Sequence, residues 1–380
     1  MAVSDDLFSA EVSNQIALTR LSAGEARTVL PFLREIVKYL EERLAKEGDS
    51  IANKKRLDIL LSDVKSKLDE IYTEWELSFF DDVLPEIAVE QALFQSKAIN
   101  TTVPDYQSVI PTAEQLLTAA KVNPLVINKN LGSVNFDKYI KAWKPQEIER
   151  INNAIKGGFY SGQTPQQITR NLVGNKSQGY KNGLVNISKN TIYTVVKTSI
   201  NHMSVTAKDE FNKQNKDLII GYEIVATLDS KTSDTCKHYD GRKFYYKNGR
   251  NQPKPPFHPN CRSTTSPLLD SKYDFLDEGG TRPSIGEKDG EKVAKKVPSD
   301  MTYYEWLKTQ PSSLQNEALG KTKAMIFRNA GITEEEFNKA SRDRLNQPLT
   351  IKEMAASNKK IHDYLESLSK RDSRVKQYID

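Results

Sequence analysis

The sequence predicts an α-rich α+β protein. We expect an elongated helical N-terminal region, a helical domain with a small antiparallel β module at about residues 218–267, and a helical C-terminal region. Apolar residues recur at spacings of three and four early in the chain, which is the period of an amphipathic helix. The segment 218–228 is rich in β-branched and aromatic residues, which favours a strand. Both cysteines and two of the four histidines fall between Cys236 and Cys261, which predicts a small stapled module there.

Composition excludes several classes of protein. The 380 residues include 55 basic and 50 acidic side chains, so the net charge of +5 permits contact with nucleic acid without requiring it. No run of about 18 apolar residues is present, so we expect no membrane span. The first residues lack the basic and apolar regions of a secretory signal. Two cysteines beside histidines fit a metal in a reducing compartment better than a disulfide scaffold.

Residues 1–100 are predicted to form a helical N-terminal region. Ser22 and Glu25 have the spacing of a capping box that opens a helix, and Pro31 should end its first turn or kink the helix beyond it. The next helix carries an apolar stripe, formed by Leu57, Leu60, Leu61, Val64, Leu68, Ile71 and Trp75.

A third helix is predicted from Pro85 to Ala98, with three apolar side chains facing inward: Ile87, Leu93 and Phe94. These apolar stripes need a partner surface. We expect them to pack within one chain, and packing against other subunits is the alternative.

Residues 101–145 read as a connector, because they contain four prolines and no sustained periodicity apart from a short helix near Ala113–Ala120. A helix over Glu147–Lys156 should stop at Gly157-Gly158. Thr164-Pro165 should open another helix that ends near Gly174. One long helix is predicted from Ser188 to about Asn215.

The domain that begins at residue 146 is predicted to end near residue 275. Glycines, prolines and lysines in residues 276–300 indicate a mobile or extended linker. Residues 301–380 return to helical patterns and end in a highly charged tail.

The cysteines and histidines form two pairs. Cys236 and His238 are two residues apart, so both can point to one side of an extended or turn segment. His258 and Cys261 bracket a turn, and Asn248-Gly249 between the pairs is typical of a hairpin. The sequence therefore predicts a β module stapled by zinc, with Cys236, His238, His258 and Cys261 as its four ligands.

Two other interpretations of this module stay open. Four protein ligands leave no position for water, which means a structural zinc ion. Three ligands and a water molecule would instead permit hydrolysis, with Asp234 or Asp240 as the base. The third possibility has no metal and consists of half-buried cysteines and hydrogen-bonded histidines.

The same module is locally basic and aromatic. Its candidate nucleic-acid contacts are Lys237, Arg242, Lys243, Arg250 and Arg262, interleaved with aromatic residues that suit stacking on single strands. A metal-dependent nuclease with His258 as general base, or a DNA-binding internal protein, is therefore the competing function. A solvated hairpin whose aromatic residues cover the zinc knot explains the same pattern without DNA.

Several motifs, in order, resemble those of the phage Mu F-like minor head proteins, also called head morphogenesis proteins. The first runs from Thr227 to Cys236, the second is Asp240-Gly241-Arg242-Lys243-Phe244, and the third runs from Pro255 to Arg262. The likeness extends over roughly residues 145–330 and includes the helix around Val196–Asn201. His238 and Ser263 stand where many members of the family have cysteine.

The resemblance implies a minor structural protein of a tailed bacteriophage virion, with residues 146–275 as its Mu F-like domain. Such a protein would assemble in the host bacterial cytoplasm, in several copies near the portal vertex, and assist head assembly and genome packaging or delivery. Its expected partners are the portal protein, the major capsid or scaffolding protein and possibly packaged DNA. The resemblance does not imply an enzyme, and the sequence contains no phosphate-binding loop, nucleophile elbow or zinc-protease helix.

Overall fold

The computed structural model describes residues 3–128, 132–249, 252–276, 280–344 and 346–379. Its α-helices are α1 (Val3–Glu25), α2 (Leu30–Ala45), α3 (Lys54–Glu76), α4 (Leu84–Thr102), α5 (Ala113–Val122), α6 (Phe136–Tyr160), α7 (Pro165–Val173), α8 (Leu184–Gln214), α9 (Asp234–Tyr239), α10 (Tyr303–Lys308), α11 (Ser312–Leu319), α12 (Lys321–Asn329), α13 (Glu334–Ala340), α14 (Ile351–Ser357) and α15 (Lys359–Ser369). Its strands are β1 (Pro124–Asn128), β2 (Gly132–Asn135), β3 (Ile219–Val225), β4 (Lys243–Tyr245), β5 (Thr264–Leu269), β6 (Thr281–Lys288) and β7 (Glu291–Pro298). The predicted α-rich α+β class is confirmed.

One apolar core joins helices α1 to α8, and the predicted stripe of α3 lies at its centre. The Trp75 ring stacks on Phe79 at 5.4 Å and meets the edge of Trp143 from α6 at 5.3 Å. The helical stripes therefore pack within the chain. Ile87 is buried as predicted, whereas Leu93 is 42% exposed, so its predicted inward position is wrong.

Two helix boundaries differ from the prediction. Ser22 lies inside α1, where its hydroxyl donates to the Thr19 carbonyl at 2.9 Å and therefore does not cap a new helix. The helix that starts near Pro31 begins at Leu30, with the proline in its first turn, where a missing N–H costs no intrahelical hydrogen bond.

Helix α6 crosses the predicted connector boundary at residue 145 and the predicted stop at Gly157-Gly158. Burial of Trp143 and Ile148 on either side of Pro145 provides packing that carries the helix through the proline. A Cβ atom at position 158 would lie 2.6 Å from Ile168 Cγ1 of α7. This glycine therefore permits close packing of α6 against α7 and does not end the helix.

The β module is an antiparallel sheet with the strand order β4-β3-β5, which confirms the predicted antiparallel module. Tyr222 of β3 pairs with Phe244 on one side and Pro267 on the other. A Cβ atom on Gly221 would lie 2.2 Å from the Phe244 carbonyl oxygen, so only glycine allows β4 this close. The predicted hairpin at Asn248-Gly249 does not form, because β4 pairs with the earlier strand β3 and ends in a 3-10 turn.

Residues 281–298, predicted as a mobile or extended linker, form the antiparallel hairpin of β6 and β7. The chain reverses at Asp289-Gly290, where both residues have positive φ, as hairpin turns of this type require. Alternate residues of β6 are buried, including Arg282 and Ser284, so the hairpin packs on the protein along one face.

Helices α10 to α15 surround a second apolar core that includes the fully buried Trp306. Leu228, which follows β3, is part of this core. The β module and the C-terminal helices are thus joined by buried contacts. No helix in the described ranges is both long and apolar enough to cross a membrane.

Candidate metal centre

Three of the four predicted ligands converge in the β module. The Sγ atoms of Cys236 and Cys261 lie 3.6 Å apart, and His258 Nε2 lies 3.2 Å from the Cys236 Sγ. Donor atoms of all three residues lie within 4.8 Å of one another. Both cysteines are buried and His258 is half-buried, so these residues form a compact Cys-His-Cys cluster.

Ser233 places the first cysteine. It is the N-cap of the short helix α9, and its Oγ accepts a hydrogen bond from the Cys236 N–H at 3.2 Å. The same Oγ lies 2.8 Å from His258 Nε2. One hydroxyl therefore fixes both the helix that carries Cys236 and the ring that faces it.

Helix α8 places the second pair of ligands. Asn260, between His258 and Cys261, has a φ of 58°, and its N–H donates to Thr198 Oγ1 at 3.1 Å. Asn201 Nδ2 donates to the Cys261 carbonyl at 2.8 Å. These two hydrogen bonds with α8 fix the turn between His258 and Cys261.

The cluster stabilises negative charge on one sulfur. Burial alone would raise the pKa of Cys261, but hydrogen bonds from Cys236 and His258 lower that pKa well below its usual value. The hydrogen bond to Cys261, together with burial, raises the pKa of Cys236. Burial would lower the pKa of His258, but its hydrogen bond to Cys261 and the charge of that sulfur raise it. A thiolate is the form of cysteine that binds metal.

His238 does not join the cluster. Its Nδ1 lies 2.7 Å from Asn338 Oδ1 of α13 and 3.3 Å from an Arg242 Nη2. The prediction placed Cys236 and His238 on one side of an extended or turn segment, but they lie on a helix, where side chains two residues apart are rotated by about 200° around the axis. The structure therefore brings together three of the four predicted ligands.

Asp234 and Asp240, the predicted bases of a hydrolytic metal site, both form ion pairs with cationic side chains. Asp240 is buried, and its two oxygens accept from Arg282 at 2.9 and 3.1 Å. Asp234 Oδ1 lies 3.0 Å from the Lys237 Nζ. Both carboxylates thus have a structural partner within the protein.

The five predicted nucleic-acid contacts do not share one environment. Lys237 is buried and donates to the Ala318 carbonyl at 2.6 Å. Burial lowers the pKa of Arg242, and only Lys243 is largely exposed. Arg250 lies outside the described residues. Arg262 is engaged by a carboxylate of the protein itself.

The partner of Arg262 is the Asp229 carboxylate, to which it donates two hydrogen bonds at 2.6 and 2.9 Å. Burial would raise the pKa of Asp229, but the guanidinium hydrogen bonds and charge lower it. Asp229 Oδ1 also accepts from the Thr232 hydroxyl at 3.0 Å, and its carbonyl accepts from the Tyr303 hydroxyl at 2.8 Å. This pair links the loop after β3, the cysteine turn and the C-terminal helices.

The aromatic residues of the module pack on one another. Tyr239 stacks on Phe257 at 4.8 Å, and Tyr222 stacks on Phe244 at 5.6 Å. Phe257 packs against both cysteines. Of these rings, Phe257 packs on the apolar group that contains the two cysteines, and Tyr222, Tyr239 and Phe244 belong to a neighbouring group.

The donor set fits a zinc ion. With Zn–S bonds of about 2.3 Å, two sulfurs on a tetrahedral ion lie roughly 3.8 Å apart, close to the 3.6 Å found here. Two thiols and an imidazole are ligands that zinc prefers. The hydroxyl of Ser263 is buried beside Cys236 without a well-formed hydrogen bond among the described residues.

Residues 149–266 match the family described as Phage Mu protein F like protein. This matched segment, about a third of the chain, is similar to the Mu F-like family. No curated protein and no solved structure matches the chain. The match includes β3, α9 and all three residues of the Cys-His-Cys cluster, and it supports an assignment to the phage head morphogenesis proteins.

Three buried side chains of the matched segment have partners that the sequence did not predict. Asp229, Asn201 and Asp240 belong to segments that resemble the family, but their spacing alone gives no partner. Asn201 donates to the Cys261 carbonyl, and Asp229 pairs with Arg262. Asp240 pairs with Arg282, which lies beyond the matched segment. Ser233 followed by an acidic residue is a helix-capping pattern that could have indicated α9.

Proposed function

We propose that this protein is a minor structural component of a tailed bacteriophage virion that assists head assembly near the portal vertex and genome packaging or delivery. The observation that supports the proposal best is the Mu F-like match over residues 149–266, which includes the Cys-His-Cys cluster. The proposed partners are the portal protein and the major capsid or scaffolding protein, with packaged DNA as a further contact. Assembly would take place in the host cytoplasm.

The proposed role of the cluster is to hold a structural zinc ion. Cys236, His258 and Cys261 would bind it, and the ion would tie α9 to the turn that follows Pro255-Pro256. Because such a site does not exist in the unfolded chain, its binding energy becomes folding energy for the segment it closes.

The geometry favours this structural role over a nuclease. His258 would have to accept a proton as general base, but its Nδ1 lies 2.9 Å from the Pro259 carbonyl and its Nε2 faces Ser233 and Cys236. Nicking of supercoiled plasmid with Mg²⁺ or Mn²⁺, lost in His258→Ala, would contradict the structural role.

Association with the head can be tested directly. Mass spectrometry of purified procapsids and virions should find the chain in fewer copies than the major capsid protein. The tagged full chain should also capture co-expressed portal protein at both low and high salt, because protein docking depends less on salt than phosphate contacts do. Absence from both particles, with no capture of portal protein, would refute the proposed function.

A further inference from the structure

A groove of about 530 Å³ lies beside the Cys-His-Cys cluster, between α1 and α8. Each helix contributes one face to it. From α8 come residues spaced by three and four, namely Asn190, Thr194, Lys197 and Asn201, and from α1 come Gln15, Thr19 and Ser22. Because these spacings keep side chains on one side of a helix, both helices present polar side chains to the groove, with Leu18 and Ile200 among them.

The groove is positively charged. Lys197, Lys231 and Arg262 line it, and none of its lining residues is acidic. Arg262 is neutralised by Asp229. Among the described residues, no carboxylate forms an ion pair with the Lys197 or Lys231 ammonium group. Glu317 interacts electrostatically with Lys231 but forms its ion pair with Lys292.

The groove also contains an unsatisfied acceptor. Gln15 is only 8% exposed, and its Oε1 has no hydrogen-bond partner among the described residues. This Oε1 atom is itself enclosed by the protein, so it lies in the wall of the groove and is not a contact for a ligand. The half-buried Tyr193 ring, also in the lining, offers a surface on which a base can stack.

We propose that this groove binds the phosphate group of a nucleotide, either free or within a single strand of nucleic acid. Lys197 and Lys231 would contact the phosphate, and the Tyr193 ring would stack on the base. The volume is that of a small-molecule site and far too small for a duplex. The inference deepens the proposed contact with packaged DNA by assigning it a site, and it does not depend on docking onto a portal.

The test is fluorescence polarisation of the full chain with a fluorescein-labelled oligo-dT strand. Lys197→Ala with Lys231→Ala should weaken binding by about tenfold or more, and the slope of log affinity against log salt should become shallower by about 1.4 for the two lost contacts. Lys189→Ala is the matched control, because Lys189 lies on α8 outside the groove lining, and it should bind like the wild type.

Competition separates the possible ligands. Displacement of the strand by dTMP would show that a free nucleotide suffices, and displacement only by unlabelled oligo-dT would assign the site to a strand. Both results support the proposal. The proposal is overturned if the wild type does not bind oligo-dT, if polyglutamate competes as well as oligo-dT, or if the double variant, folded by circular dichroism, binds normally. Lys197→Gln alone replaces the double variant if that protein does not fold.

Discussion

Arg282 is the partner of a fully buried carboxylate, and replacing it with methionine should strongly destabilise its surroundings. The guanidinium is 2% exposed and donates to both Asp240 oxygens, to the Ala226 carbonyl and to the Met301 carbonyl. Methionine keeps much of the apolar stem but supplies no donor. Within the described part of the chain, Asp240 would then retain only the hydrogen bond from the Ala226 N–H, at 2.6 Å.

The expected loss follows from the cost of an unpaired buried charge. Removing one partner of a buried ion pair costs about 3–5 kcal/mol, which corresponds to roughly two to four powers of ten in the local opening equilibrium. Asp240→Asn combined with Arg282→Met removes the charge as well. The double variant should therefore be more stable than Arg282→Met alone, because no bare carboxylate remains buried.

Two measurements check this. Hydrogen exchange of the β6–β7 amides should accelerate in Arg282→Met and recover partly in the double variant, and urea unfolding should follow the same order. Arg374→Met is the control, because Arg374 is 86% exposed in its pair with Asp372 and its loss should change neither measurement. Equal destabilisation of Arg282→Met and the double variant, or a loss below about 1 kcal/mol, would refute the reasoning.

Three further changes test other parts of the structure. Burial lowers the pKa of His202 to about 4 from 6.5, so the unfolded chain takes up the proton first and stability should fall by up to about 3 kcal/mol from pH 6.5 to 4. His202→Gln should flatten this part of the melting profile, and an unchanged profile would contradict it. Purified protein should contain one zinc per chain by elemental analysis, none in Cys261→Ser, and zinc held more firmly against chelator in Ser263→Cys, which adds a fourth strong ligand. Equal zinc in the wild type and Cys261→Ser would exclude this site. Gly157→Ala, where nothing lies within 4 Å, should stabilise the protein by about 0.5–1 kcal/mol, whereas Gly158→Ala should destabilise it by about 1–3 kcal/mol through the clash with α7. Melting shifts of the same sign would contradict the packing argument.

The periodic helices were predictable because their signal is local. The stripe of α3 and the capped start of α7 at Thr164-Pro165 need only the spacing of neighbours along the chain. The predicted helix stop at Gly157-Gly158 was wrong because the relevant signal is not local. The need for glycine at position 158 comes from Ile168 on another helix, and a single sequence does not show which surfaces meet.

The cluster was predicted in part. Clustering of cysteine and histidine indicated the right segment and three residues that meet. The position of His238 depended on whether its segment is extended or helical, and that choice reverses the direction of a side chain two residues away. The pairing of Asp240 with Arg282 joins residues 42 positions apart, and sequence spacing carries no information on such a pair.

The contacts made by α9 and the residue after it determine which fragments of this protein can fold. The matched segment begins inside α6 and ends inside β5, yet the buried Lys237 and Asp240 find their partners at Ala318 and Arg282. A fragment cut at residues 149 and 266 would sever both a helix and a strand, would leave Lys237 with Asp234 but without the Ala318 carbonyl, and would remove the arginine that pairs with Asp240. The matched segment is therefore smaller than the unit that folds, and fragments of this chain should extend through the C-terminal helices.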